Sequence, residues 1–166
     1  MTLPIFLVGL VVLLVMVTAI WGAFFRGAGS GSGGGAPLSE AATRFQWVTK
    51  PAEITKNVDS QFVVRLDRMH VPSSTYQPYA SAASMVGAVQ PASVVLISLN
   101  GESADDETTI PASLGGGTAW EVTTDSAGLI TIIVRGSEVA DAKLTVVYLR
   151  GDGTPTTETA DFAVID

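Results

Sequence analysis

The sequence has no cysteine and a single histidine among its 166 residues. The first absence removes disulfides, thiolate zinc sites, cysteine nucleophiles and cysteine-ligated clusters. The second leaves no histidine pair and no HExxH helix, so a transition-metal site lacks ligands. A Ser-His-Asp triad would have to use His70, which sits between Met69 and Val71 with no nucleophile-elbow sequence beside it. The glycine tracts contain no GxxxxGK followed by Ser or Thr, and no GxGxxG entering a helix, so they are not phosphate loops. No amphipathic helix of ten residues is visible; the nearest stretch, YASAASMVGAV at 79–89, is weakly helical. Charged residues are few, 15% of the chain, and sum to −7. A negative field argues against nucleic acid as a partner and against a polybasic grip on anionic lipid. The plain reading of the charge is solubility. We expect no catalytic residue, no cofactor and no enzyme activity.

Residues 3–25 read LPIFLVGLVVLLVMVTAIWGAFF and carry no charge. As a helix at 1.5 Å per residue they span about 34 Å, enough to cross a hydrocarbon core of about 30 Å. Only the α-amino group precedes this run, the run is long for a signal peptide, and Trp21 disturbs the cleavage region, so a retained single span is expected. Trp21, Phe24 and Phe25 followed by Arg26 suit a membrane interface. Thr18, Ala19, Gly22 and Ala23 make a small-residue patch fit for helix packing or for lipid. No ionisable group lies inside the run, so it carries no proton relay or ion path. Arg26 weakly favours a cytoplasmic side for the residues C-terminal to it. An acidic β-module looks exported, and we expect the C-terminal part to be periplasmic or extracellular.

A Gly/Ser-rich linker, 27–43, joins this anchor (1–26) to a domain at 44–166. Its core, GAGSGSGGGAP at 27–37, has no side chains to pack. Ordering such a tract needs neighbouring subunits to hold it.

From residue 45 the chain is rich in Val, Ile and Thr and alternates with period two. The runs QFVVRLDR (61–68), SVVLISL (93–99), TAWEVTT (118–124), LITIIVR (129–135), KLTVVYL (143–149) and ADFAVI (160–165) read as strands. Short strands near 45–49 and 52–55 lead in. Turn signals at Asn100-Gly101, 115–117, 125–128, Arg135-Gly136 and 151–153 separate them. About seven short strands spaced this way predict an all-β Greek-key sandwich. At the 125–128 turn, Asp125 can accept backbone N–H groups and Gly128 can supply a positive φ.

The stretch TTDSAGLITIIVRG (123–136) resembles the turn-and-strand signature of bacterial immunoglobulin-like modules of the invasin and intimin type. PAEITKNVDSQFVVRLD (51–67) resembles their opening, a proline-led edge strand before the first core strand. The resemblance implies an immunoglobulin-like sandwich used for scaffolding or binding. The sequence departs from the pattern at 70–91, which reads as a long, irregular insertion.

Two surface features invite a functional reading. Asp105, Asp106 and Glu107, with Asp125 or Asp152, offer hard oxygen ligands of the kind calcium takes, but match no EF-hand or RTX spacing, and a solvated acidic loop is the simpler reading. Tyr76, Tyr79 and Met85 lie in the 70–91 segment with prolines and no acid, a composition suited to a protein interface or to covering one end of the sandwich. The chain as a whole reads as a non-catalytic, membrane-anchored accessory or scaffolding subunit. Its partners would be the lipid bilayer and other subunits of a membrane complex. A surface-displayed adhesin is the first alternative; a structural membrane protein of a virion or a pilin-like filament subunit is the second.

Overall fold

The computed structural model describes residues 42–70, 73–82, 85–103, 108–151 and 153–166. The 3–25 segment, the linker through residue 41, and Asp105, Asp106, Glu107 and Asp152 lie outside the described residues. So do Thr18, Ala19, Trp21, Gly22, Ala23, Phe24, Phe25 and Arg26. Among the described residues no helix is long and apolar enough to cross a membrane.

Among the described residues twelve strands follow one another: β1 (Thr43–Thr49), β2 (Glu53–Thr55), β3 (Ser60–His70), β4 (Thr75–Pro78), β5 (Met85–Gln90) and β6 (Val94–Leu99), then β7 (Glu102–Ser103), β8 (Thr108–Thr109), β9 (Thr118–Val122), β10 (Leu129–Gly136), β11 (Ala140–Leu149) and β12 (Pro155–Ile165). One short 3-10 turn, Ala112–Leu114, precedes β9. The first sheet runs β1-β3-β10-β6-β7, with β4 also paired to β3. The second runs β2-β12-β11-β5-β9-β8. The pairs are antiparallel except β2 with β12.

Period-two alternation puts one face of each long strand inside. On β3 the inner residues are Phe62, Val64 and Leu66; on β10 they are Ile130, Ile132 and Val134. The second sheet answers with Leu144 and Val146 of β11 and Ala160, Phe162 and Val164 of β12. Phe62 and Phe162 meet across the two layers with ring centroids 4.9 Å apart. Trp47 of β1 sets its ring edge-on to Phe62 at 6.3 Å. This shared apolar interior holds the two sheets face to face.

Each run read as a strand in the sequence is a strand. The 70–91 segment departs from expectation, because it contributes β4 and β5, and β5 is interior to the second sheet between β11 and β9. Its alternation is hidden by Gly87 and Ala88. Gly87 is small because the Trp120 indole of β9 lies against it; a Cβ there would collide with the ring. Neighbouring strands, not local propensity, decide this element.

The described chain enters and leaves at opposite ends of the sheets. Ala42 accepts the Met69 N–H at the end of β3, and the Thr43 and Thr156 hydroxyls meet at 2.6 Å. At the far end, the carbonyl of Ile165 accepts the Lys56 N–H at 2.7 Å.

Candidate interaction surface

The turn between β9 and β10 builds the floor of the surface. Asp125 Oδ1 accepts the N–H groups of Ala127 at 2.7 Å and Leu129 at 2.9 Å. Gly128 takes φ +74, a conformation that side chains rarely adopt. Its carbonyl receives the Leu66 N–H at 2.9 Å, and the Leu66 carbonyl in turn receives the Tyr79 N–H at 2.8 Å. Buried Thr124 completes the seat: its hydroxyl donates to the Tyr79 carbonyl at 2.6 Å and accepts from Ala82 N–H at 2.8 Å. The turn at 125–128 therefore positions the chain around Tyr79.

Around this floor stand Arg44 of β1, Arg68 of β3, Tyr76 of β4 and Tyr79 just after it. The Tyr79 ring is edge-on to Tyr148 at 5.7 Å, and the Arg68 guanidinium lies 4.3 Å above it. Arg44 lies 3.9 Å over the Tyr76 ring. Asp67 is 1% exposed although it sits on the outward side of β3, because two guanidiniums cover it. Arg65 donates from Nε to Oδ1 at 2.7 Å and from Nη2 to Oδ2 at 3.2 Å. Arg44 reaches Oδ2 from Nε and Nη2, each at 3.4 Å. Arg65 also donates to Gln46 Oε1 at 2.8 Å. Arg44, Arg65 and Tyr76 lie with Asp67 on the outward face of the first sheet, while Arg68 and Tyr79 pair on its inward side, Tyr79 against the core. Arginine and tyrosine are the residue types that dominate protein interfaces.

The expected contact residues separate here. Tyr76 and Tyr79 are both half-buried, Tyr76 under Arg44 on the outward face and Tyr79 under Arg68 against the core. Met85 is not a surface residue: it is 1% exposed, the first residue of β5, and part of the core. Its side chain points inward because β5 pairs with β11 and β9 in that register. The arginines and the covered Asp67 were missed in the sequence. Their one signal was the RLDR run, whose Arg65 and Asp67 take outward positions on β3.

His70 bonds through Nδ1 to Ser73 Oγ at 2.9 Å, and Ser73 Oγ meets Thr75 Oγ1 at 2.7 Å. This chain of hydroxyls closes the β3–β4 hairpin and brings no carboxylate to the imidazole. Asp125, the described member of the acidic set, spends Oδ1 on its own turn. Among the described residues no three His, Asp or Glu side chains gather as metal ligands.

The pole opposite the chain entry is different in character. Val58 (51% exposed), Val139 (58%) and Ile165 (38%) lie there in the open. The charges around them pair with one another: Lys56 with Asp166 at 2.8 Å, and Arg135 with Asp59 at 2.7 Å. Each partner's hydrogen bond, then its charge, holds the cation's pKa above the ordinary value. An open groove of about 720 Å³ on the outer side of the second sheet is bordered by Gln90, Pro91, Lys143 and Asp161.

No protein-family model and no curated protein matches the chain. Solved structures similar to it include domains 4 and 5 of the S-layer protein SbsC, at 9% identity and a TM-score of 0.42, covering 74% of this chain and 51% of that one. Another is AvmM, which catalyses macrocyclization in alchivemycin A biosynthesis, at 15% identity and a TM-score of 0.47, with 75% and 89% covered. A third is a conjugative transposon lipoprotein from Bacteroides eggerthii DSM 20697, at 7% identity and a TM-score of 0.41, with 72% and 95% covered. This chain thus spans about half the length of the S-layer fragment. All three lie under a TM-score of 0.5 and assign neither a family nor a function.

Proposed function

We propose that this chain is a non-catalytic, membrane-anchored accessory or scaffolding subunit, with an extracytoplasmic sandwich that makes protein–protein contacts. The observation that carries the reading is the uncharged 23-residue run at 3–25, joined by a glycine tract to a packed β-module. The run has the length and aromatic flank of a membrane span, and its partner there is the bilayer. The sandwich is immunoglobulin-like in our reading. In support, β1-β3-β10-β6 faces β2-β12-β11-β5-β9, the opening strands divide between the sheets, and β2 runs parallel to β12. The outward patch built from Arg44, Arg65 and Tyr76 around Asp67 is the contact surface for a neighbouring subunit, by the chemistry of arginine and tyrosine at interfaces.

Two measurements on native membranes test this. A membrane-impermeant maleimide should label Gln77→Cys in intact cells; protection until lysis would place the module inside. A photo-crosslinking amino acid at Tyr76 should give a discrete adduct with another protein, and the same group at Glu121 should not. Absence of an adduct at Tyr76 would remove the contact assignment.

A displayed binding module is the second reading. Val58, Val139 and Ile165 favour it, because this apolar cluster lies at the pole away from the chain entry.

A further inference from the structure

Asparagine occurs twice in the chain, at 57 and 100, and only Asn100 is followed by glycine. Asn100 and Gly101 form the two-residue turn between β6 and β7, and Leu99 pairs with Glu102 across it. Both turn residues take a positive φ, 50 at Asn100 and 85 at Gly101. Asn-Gly suits such a hairpin turn because these two residues tolerate that conformation.

The Asn100 side chain also acts outside its own turn. The ladder of β6 with β10 ends at Leu99 opposite Ile132. Asn100 extends it by one step: its N–H donates to the Thr131 carbonyl and its Oδ1 accepts the Thr131 N–H, each at 2.8 Å. Nδ2 donates to the carbonyl of Thr123, just past β9, at 2.9 Å. One side-chain amide therefore ties the β6–β7 turn to β10 of the same sheet and to the segment leaving β9 of the other.

The same dipeptide has a chemistry of its own. The Gly101 nitrogen can attack Asn100 Cγ, because glycine has no Cβ to obstruct the approach. A C–N bond forms, the Cγ–Nδ2 bond breaks, and ammonia leaves with the proton of the Gly101 amide. Water then opens the cyclic imide to aspartate or, with one more methylene in the backbone, to isoaspartate. Asn100 is exposed, so water is at hand. Attack makes the planar Cγ tetrahedral and swings Oδ1 and Nδ2 off their partners. Both of those bonds must break first, and in the folded module they hold the reaction back. Afterwards a carboxylate oxygen stands where Nδ2 faced the Thr123 carbonyl, two acceptors with no proton between them.

We propose that Asn100-Gly101 is a spontaneous deamidation site held closed by the fold: opening of the β6–β7 turn admits the reaction, and its product loosens that corner irreversibly. The inference goes beyond the anchored reading and stands on the turn alone. Opening one turn costs less than unfolding the module, so the site keeps a record of excursions that leave the core intact.

The full chain in detergent micelles and the peptide SLNGES (98–103) are incubated side by side in one mildly alkaline buffer, and mass spectrometry follows conversion at position 100. The full chain should convert more slowly than the peptide by about tenfold or more, the factor that about 1.4 kcal/mol of opening gives. Equal rates would overturn the shielding. With both samples in guanidinium the two rates should converge; a full chain that stays slow when unfolded would show that the fold is not what protects it. Asn100→Asp, which reproduces the aspartate product, should lower the urea midpoint of the full chain. An unchanged midpoint would overturn the loosening.

Discussion

Arg65 holds Asp67 from two residues away on the same face of β3, with Nε 2.7 Å from Oδ1 and Nη2 3.2 Å from Oδ2. Arg44 adds a looser grip from β1, and together they leave the carboxylate 1% exposed. Asp67→Ala should destabilise the module by about 1–3 kcal/mol in urea denaturation. The loss is moderate because the arginines, 35% and 49% exposed, can turn to water. Arg44→Ala should cost under about 1 kcal/mol, as a long surface pairing does. The reverse ranking would refute the assigned geometry.

The contact between Gly87 and Trp120 gives a sharper packing test. Gly87→Ala introduces a Cβ into the indole ring, and the interior has no room to give it. Overpacking of this kind costs about 1–3 kcal/mol. The melting temperature should fall and the tryptophan emission should shift as Trp120 is displaced. A neutral result would mean that β5 and β9 are not in this register.

The β9–β10 turn supports Tyr79 through Gly128 and Leu66, so damage to it should be felt there. Asp125→Ala deletes two bonds to backbone N–H groups. The expected loss is about 1–2 kcal/mol. Amide exchange at Leu129 and Tyr79 should quicken while that of Val146 stays slow.

The strands were legible in the sequence wherever β-branched residues alternate with polar ones, as on β3, β10 and β11. The Asx turn at Asp125 was legible for the same reason that it forms: a carboxylate followed by a glycine free to take positive φ. β5 was not, since its inward face includes Gly87, whose size is set by Trp120 more than thirty residues away. Met85 shows the same limit. Its composition suits an interface, and only the pairing with β11 turns it inward. The arginine patch escaped because it is assembled from three strands, and net charge averages it away. Overall acidity says nothing about where nine basic residues gather.

Lys56 supplies a pH signature at the far pole. Its hydrogen bond to Asp166, then the charge of Asp166, raises its pKa above 10.5. A group raised in the folded state contributes stability fully below its unfolded value and loses it as pH climbs through the folded one. Urea midpoints should therefore fall on the alkaline side of 10.5, and Lys56→Met should lack that part of the decline. Identical alkaline profiles for the two proteins would mean that the Lys56–Asp166 pair does not form in solution.

We propose a two-part chain, a membrane span joined to an independently folded β-module. The direct measurement is alkaline carbonate extraction of the full chain beside a form lacking residues 2–26. The full chain should stay with the membrane. The shortened form should be a soluble monomer with an all-β circular dichroism spectrum. Release of the full chain by carbonate, or an insoluble or helical shortened form, would contradict the two-part architecture.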